Sequence, residues 1–177
     1  MIEAAMIWNE PNNKSHWDPE IDPDWSRFAA MARLLPFMPV VAGNTRFQPV
    51  YVGDVADAVV AAATREDAAG RTYELGGPRA MSFREVLRFI LDTTGHRRPM
   101  LDMPGGLVRL QARLSEYLPN PPLTQDQLLM LQRDNLVSPG APGLAELGIA
   151  PKSVEAVVPG YLSRFRPGGG RRPQPAG

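Results

Sequence analysis

The sequence predicts an α/β fold with a small sheet and a mainly helical C-terminal half. Three observations carry this expectation. Short strand-like runs alternate with helical runs over the first hundred residues. Beyond Gly106 the apolar pattern turns helical. The chain is 177 residues long and 44% apolar, enough to bury a core rather than remain disordered. Three or four short strands make an incomplete-looking sheet for a chain of that length.

The elements follow in order. Residues 2–8, IEAAMIW, read as a short buried strand. The Asn-, Asp- and Pro-rich NEPNNKSHWDPEIDPD reads as loop, and Asp24 is placed to cap a helix starting near Trp25. That helix carries Phe28, Met31, Leu34 and Leu35 on one face, and Pro36 and Pro39 stop it. FQPVYV, Phe47 to Val52, reads as a strand with Pro49 marking an edge or a start. Asp54 stands where an N-cap would open the Ala-rich helix VADAVVAAAT. RTYELGG reads as a further strand closed by glycines.

Ser82-Phe83-Arg84-Glu85 is a capping box that opens a helix to about Thr94. Phe83, Val86, Leu87 and Ile90 form its apolar face, and Gly95 is its stop. Arg98 to Met103 suits a strand. Gly106 to Leu118 is an amphipathic helix with Leu107, Leu110, Leu114 and Leu118 in a stripe. A second capping box, Thr124 to Gln127, opens a helix to Asn135. These stripes read as core or as partner-binding faces. Leu144 to Leu147 suits one turn, and Ser153 to Phe165 a last helix disturbed at Pro159-Gly160. From Pro167 the sequence PGGGRRPQPAG suggests disorder, with Arg171 and Arg172 solvated.

Composition excludes several classes. Lys plus Arg and Asp plus Glu are both 19, so there is no basic excess for a nucleic-acid surface. With no cysteine there is no disulfide, thiolate nucleophile or cysteine-ligated metal. His16 and His96 are isolated, so no metal site is expected. No apolar run reaches the roughly 20 residues that span a bilayer, and no signal peptide is visible. A cytoplasmic protein fits these features.

One stretch invites a chemical reading. In IWNEPNNKSHWD, Glu10 follows Asn9 at the end of a strand-like run. A carboxyl near a tryptophan can have the raised pKa of a general acid. Trp8, Trp17 and Trp25 suit the apolar face of a sugar. Residues 1–26 resemble the acid/base segment of β-xylosidase-like TIM-barrel glycoside hydrolases. That resemblance implies Glu10 as acid/base and Asn9 as contact to the sugar 2-hydroxyl. The mechanism needs a second carboxylate about 5 Å away, and the barrel needs roughly 250 residues. Nothing downstream resembles the nucleophile strand. The alternative is a surface carboxylate among locally packed tryptophans.

Residues 27–166 resemble a different family. RFAAMARLLPFMPVVAGNTRFQPVYVGDVADAVVAAAT and AGRTYELGGPRAMSFREVL are similar to the C-terminal half of extended short-chain dehydrogenases. LPNPPLTQDQLLMLQRDNLV and GLAELGIAPKSVEAVVPGYLSRFR sharpen this toward the NAD(P)-binding accessory subunit of respiratory complex I, in its bacterial, atypical form. The resemblance implies an incomplete Rossmann-like portion: 1–26 as a glycosidase-like fragment, 27–166 as the dehydrogenase-like part and 167–177 as tail. The intact family binds NADP or NAD through a glycine fingerprint at a helix N-terminus. No G-x-x-G-x-x-G occurs here, and no Tyr has a Lys four residues later. The resemblance therefore implies a non-catalytic subunit that binds no dinucleotide by itself. It would partner complex I hydrophilic-arm subunits, peripheral to a respiratory membrane. Two alternatives remain open, a nucleotide-sugar epimerase/dehydratase remnant and a glycosidase remnant. In extended short-chain dehydrogenases an Arg ahead of the [FY]-x-x-V-x-D segment often contacts a nucleotide-sugar phosphate. Arg46 in TRFQPVYVGD takes that place, and its guanidinium fork suits a phosphate. The alternative is a surface arginine at a strand edge.

Overall fold

The computed structural model describes residues 23–106, 108 and 131–168. Its elements, in chain order, are α1 (Pro23–Leu34), β1 (Met38–Val40), β2 (Arg46–Phe47), α2 (Val52–Thr64), β3 (Met81–Ser82), α3 (Phe83–Thr94), β4 (Met100–Asp102) and α4 (Val154–Leu162). The expected strand at 2–8 lies outside the described residues, as does the expected helix at 106–118 except for 106 and 108. Of the helix expected at 124–135 only 131–135 are described, and there the chain turns and Asn135 bridges to Phe47, so the helix does not extend to Asn135. The tail beyond Gly168 also lies outside them. Two compact units emerge, each built from separate stretches of chain: Phe47–Met81 with Asn135–Tyr161, and Asp24–Arg46 with Ser82–Asp134 and the residues from Leu162. We refer to these as unit 1 and unit 2. The short strands β2 and β3 pair with each other.

Unit 2 is organised by α3. The capping box forms in full: the Ser82 Oγ accepts from the Glu85 N–H, and the Ser82 N–H donates to Glu85 Oε2 at 2.7 Å. At the other end Gly95 adopts φ 73°, and His96 N–H reaches back to the Leu91 carbonyl at 3.0 Å, closing the helix as a left-handed C-terminal turn does. Phe83, Val86, Leu87 and Ile90 are buried as expected, joined by Leu91 and Thr94. Ser82→Ala is expected to cost about 1 kcal/mol. A urea titration followed at 222 nm measures this, and an unchanged midpoint would deny the box any role.

β1 and β4 pair in parallel, Met38 with Met100, Pro39 with Leu101 and Val40 with Asp102. The alternation works as period 2 demands, because Met38 and Val40 are buried while Pro39 between them is not. Helix α1 departs from expectation in the face it buries. Ala29 and Ala32 are fully buried, whereas Leu34 is 78% exposed. The larger Trp25 and Phe28 make the contacts to α3. Trp25 meets Phe89 edge-on at 6.1 Å, and Phe28 meets Phe83 at 5.4 Å. Trp25 therefore packs on α3 rather than waiting for a sugar face.

Unit 1 buries Val55 and Ala58 of α2 against Tyr73, Leu75, Leu144 and Leu147, with Ala68 completing the cluster. Leu144 to Leu147 forms the expected turn, with the Leu147 N–H on the Leu144 carbonyl at 3.1 Å. The two longer strands expected here do not form as such. Only Arg46–Phe47 of the 46–52 region is a strand. Pro49 has no N–H to give to a ladder. The Gln48 side chain takes the bridging role instead: its Nε2 donates to the Gly77 carbonyl at 2.8 Å, and its Oε1 accepts from Val137 N–H at 3.1 Å. Residues 71–77 keep the strand-like alternation, with Tyr73, Leu75 and Gly77 buried, but carry no ladder among the described residues. Glu74 N–H bonds the Pro142 carbonyl at 2.9 Å. Helix α4 runs through Pro159 without interruption. Pro159 lies in the helix interior, where its nitrogen can give no bond to the Glu155 carbonyl, yet the expected disturbance does not break the helix.

Candidate functional site

The polar groups of unit 1 converge at the start of α2. The sequence pattern places Asp54 as an N-cap; the structure corrects this. Tyr51 occupies the N-cap position without a side-chain bond, and Asp54 sits inside the first turn. There its negative charge complements the positive helix end. Its side chain is 2% exposed. Oδ2 accepts the Lys152 backbone N–H at 2.7 Å, and Oδ1 accepts the Lys152 ammonium at 3.2 Å. The same ammonium lies 4.7 Å from the centre of the Tyr51 ring, a cation–π distance. Asp54 thus ties residues 51–54 to 151–152 across 98 positions of sequence.

Lys152 is held above its ordinary pKa of 10.5, first by the hydrogen bond to Asp54, with the Asp54 charge and the Tyr51 side chain adding to it. A raised folded-state pKa adds stability that is fully present below the unfolded pKa and lost as pH rises through the folded one. Stability is therefore expected to fall above about pH 10.5 more steeply in the wild type than in Lys152→Met. Urea midpoints between pH 9 and pH 11.5, roughly the window set by an unperturbed lysine, test this. Parallel curves for the two proteins would refute it.

Two further contacts fasten the same region. Glu74 Oε2 accepts the Ser138 N–H at 2.6 Å, and Glu146 Oε2 accepts the Gly143 N–H at 2.7 Å. The Gly143 bond comes first among the causes that hold the Glu146 carboxyl below its usual range. Arg79 and Glu155 pair at 2.8 Å, both half exposed, which contributes little. These charges are spent on backbone groups and on each other. The arrangement holds loops in place.

Arg46, the expected phosphate contact, is exposed on β2. Its backbone N–H donates to Asp134 Oδ1 at 2.9 Å, and its guanidinium has no contact among the described residues. Asn9 and Glu10 lie outside the described residues, as do Trp8, Trp17 and His16. Among the described residues no cluster of His, Asp or Glu could hold a metal. None of their helices is long and apolar enough to cross a membrane. The Asp54–Lys152 pair escaped sequence reasoning because nothing in the local pattern links them. The one available signal was that Lys152 is one of only two lysines in the chain.

No family model matches the chain. Among solved structures, a nucleoside-diphosphate-sugar epimerase from Staphylococcus aureus superposes with a TM-score of 0.54 at 16% identity, covering 77% of this chain and 47% of that one. The fold is accordingly that of part of an extended, short-chain-dehydrogenase-like α/β protein. Within that class the chain is related to accessory subunits of respiratory complex I. It is 32% identical to "NADH dehydrogenase [ubiquinone] 1 alpha subcomplex subunit 9, mitochondrial" of Arabidopsis thaliana over 179 aligned positions, 96% of this chain and 42% of that protein. The rat protein of the same name is 28% identical over 67% of this chain and 32% of its own length. The chain thus spans less than half the length of these relatives. An alignment covering 96% of 177 residues must enter residues 1–26, and the glycoside hydrolase resemblance there finds no support among these relatives.

Proposed function

We propose that the chain acts in a non-catalytic accessory or assembly subunit of NADH:ubiquinone oxidoreductase. The observation that carries this is the similarity to the Arabidopsis subunit along 96% of the chain. The way unit 1 spends its polar side chains agrees with it, since Asp54, Glu74 and Gln48 all hold backbone groups. NADP or NAD is the dinucleotide that the family resemblance implies for the intact protein. Its partners are hydrophilic-arm subunits, reached from the inner, cytoplasmic face of a respiratory membrane.

The test is to tag the chain in its own organism and resolve detergent-solubilised membranes on native gels. The tagged chain is expected in the band that oxidises NADH, and its deletion should deplete that band. A chain migrating alone, with the complex intact after deletion, would dismiss the reading. The exposed guanidinium of Arg46 favours one alternative, a nucleotide-sugar epimerase remnant. That alternative requires a UDP-sugar to raise the melting temperature of the purified chain, and Arg46→Ala to abolish the shift.

A further inference from the structure

The net charge of zero conceals a segregation. Among the described residues unit 2 carries ten arginines against five acidic residues, whereas unit 1 carries four basic residues against seven acidic ones. In unit 2 the acidic side is largely committed. Asp102 pairs with Arg84, Glu85 serves the capping box and Asp134 accepts the Arg46 N–H.

The excess gathers at one end of unit 2. Arg98 donates to the Ala32 carbonyl at 3.1 Å and to the Arg33 carbonyl at 3.4 Å, so its guanidinium sits at the C-terminus of α1. A cation is favoured there by the helix dipole. Met38 N–H bonds the Pro99 carbonyl at 2.8 Å, which holds the 97–99 loop beside the end of that helix. Arg166 donates to the Thr93 carbonyl at 3.0 Å, at the end of α3 that leads into the same loop. Arg33, Arg97 and Arg166 are exposed. In the segments 32–36, 92–99 and 166–168 the sole acidic residue is Asp92. Leu34, 78% exposed, follows Arg33 at the same end of α1. Beyond Gly168 the sequence adds Arg171 and Arg172 and no acid.

We propose that this end of unit 2 docks on an anionic lipid surface, with the arginines over the phosphates and Leu34 entering the headgroup region. A helix end that buries Ala29 and Ala32 while exposing its leucine leaves that leucine unused by the fold. Cations around a single apolar side chain suit an interface that offers negative charge outside and hydrocarbon beneath. The inference stands independently of the complex I reading.

The test is co-sedimentation of the 177-residue chain with vesicles of phosphatidylcholine alone and of phosphatidylcholine mixed with phosphatidylglycerol. Binding to the mixed vesicles only is expected, weakening as salt is raised. Arg33→Glu with Arg97→Glu should lower that binding at least about tenfold, and Arg33→Lys with Arg97→Lys should keep it. Leu34→Ser should lower it by a smaller factor. All these side chains are exposed, so the urea midpoint should not move. Equal binding to both vesicle types, no binding to either, or an unaffected charge-reversal variant would overturn the proposal. Displacement from the mixed vesicles by poly-glutamate at matched charge and ionic strength would reassign the surface to an acidic protein and overturn it as well.

Discussion

Gly77→Ala is expected to destabilise unit 1 by about 3 kcal/mol, the upper range for overpacking a close contact. A methyl group on Gly77 would stand 1.8 Å from the Pro49 carbonyl oxygen and 3.0 Å from its carbon. Both are backbone atoms, so no rotamer change relieves the clash. The backbone must part, and the bond from Gln48 Nε2 to the Gly77 carbonyl would go with it. The neighbouring Gly76 provides the contrast. Its methyl group would meet side-chain atoms of Val137 and Gln48, at 2.5 and 2.8 Å, which can move. Gly76→Ala should therefore cost less. Amide exchange across α2 reports on unit 1 directly. Protection in Gly77→Ala equal to the wild type would mean that residues 49 and 77 do not approach as described.

Asp54→Ala is expected to cost about 3 kcal/mol, because it removes the acceptor of a part-buried N–H together with a buried charge. Asp54→Asn should cost roughly half of that, since its amide oxygen can still accept the Lys152 N–H while the ion pair is lost. Lys152→Met should be milder than Asp54→Ala. The ammonium side of the pair is half exposed, so water replaces it. Urea midpoints that rank the lysine variant as the worse would show that the ammonium, rather than the backbone N–H, is the contact that matters.

These two predictions also separate scaffold from site. Gly76-Gly77 follows a strand-like run, which is where a dinucleotide fingerprint would begin. Here the glycines are required by the approach of one loop to another. Neither needs a left-handed backbone, since the positive-φ glycines are elsewhere, at 70, 95, 140, 148 and 168. Asp54 likewise stands next to a helix start, where an anion could bind, but it is turned inward to hold Lys152.

What the sequence determined by itself lay among features governed by neighbours within about one helical turn, although even there the N-cap of α2 is Tyr51 and not Asp54. The capping box at Ser82, the apolar face of α3, the glycine stop at 95 and the turn at 144–147 were all legible because their partners lie within five residues. The α/β class was legible from the alternation of patterns, and the relationship to complex I subunits from phrases in a fixed order. Tertiary structure alone decided the rest. Whether 47–52 and 71–77 become strands depends on a ladder partner, and Pro49 and the Gln48 amide settled that locally in favour of a side-chain bridge. Which face of α1 is buried depends on its tertiary neighbours, and the fold buries Ala29 and Ala32 while leaving Leu34 exposed. The Asp54–Lys152 pair and the cluster of Arg33, Arg98 and Arg166 join residues 65 or more positions apart. Local propensity carries no information over such separations, because the contact exists only once the chain has folded back on itself.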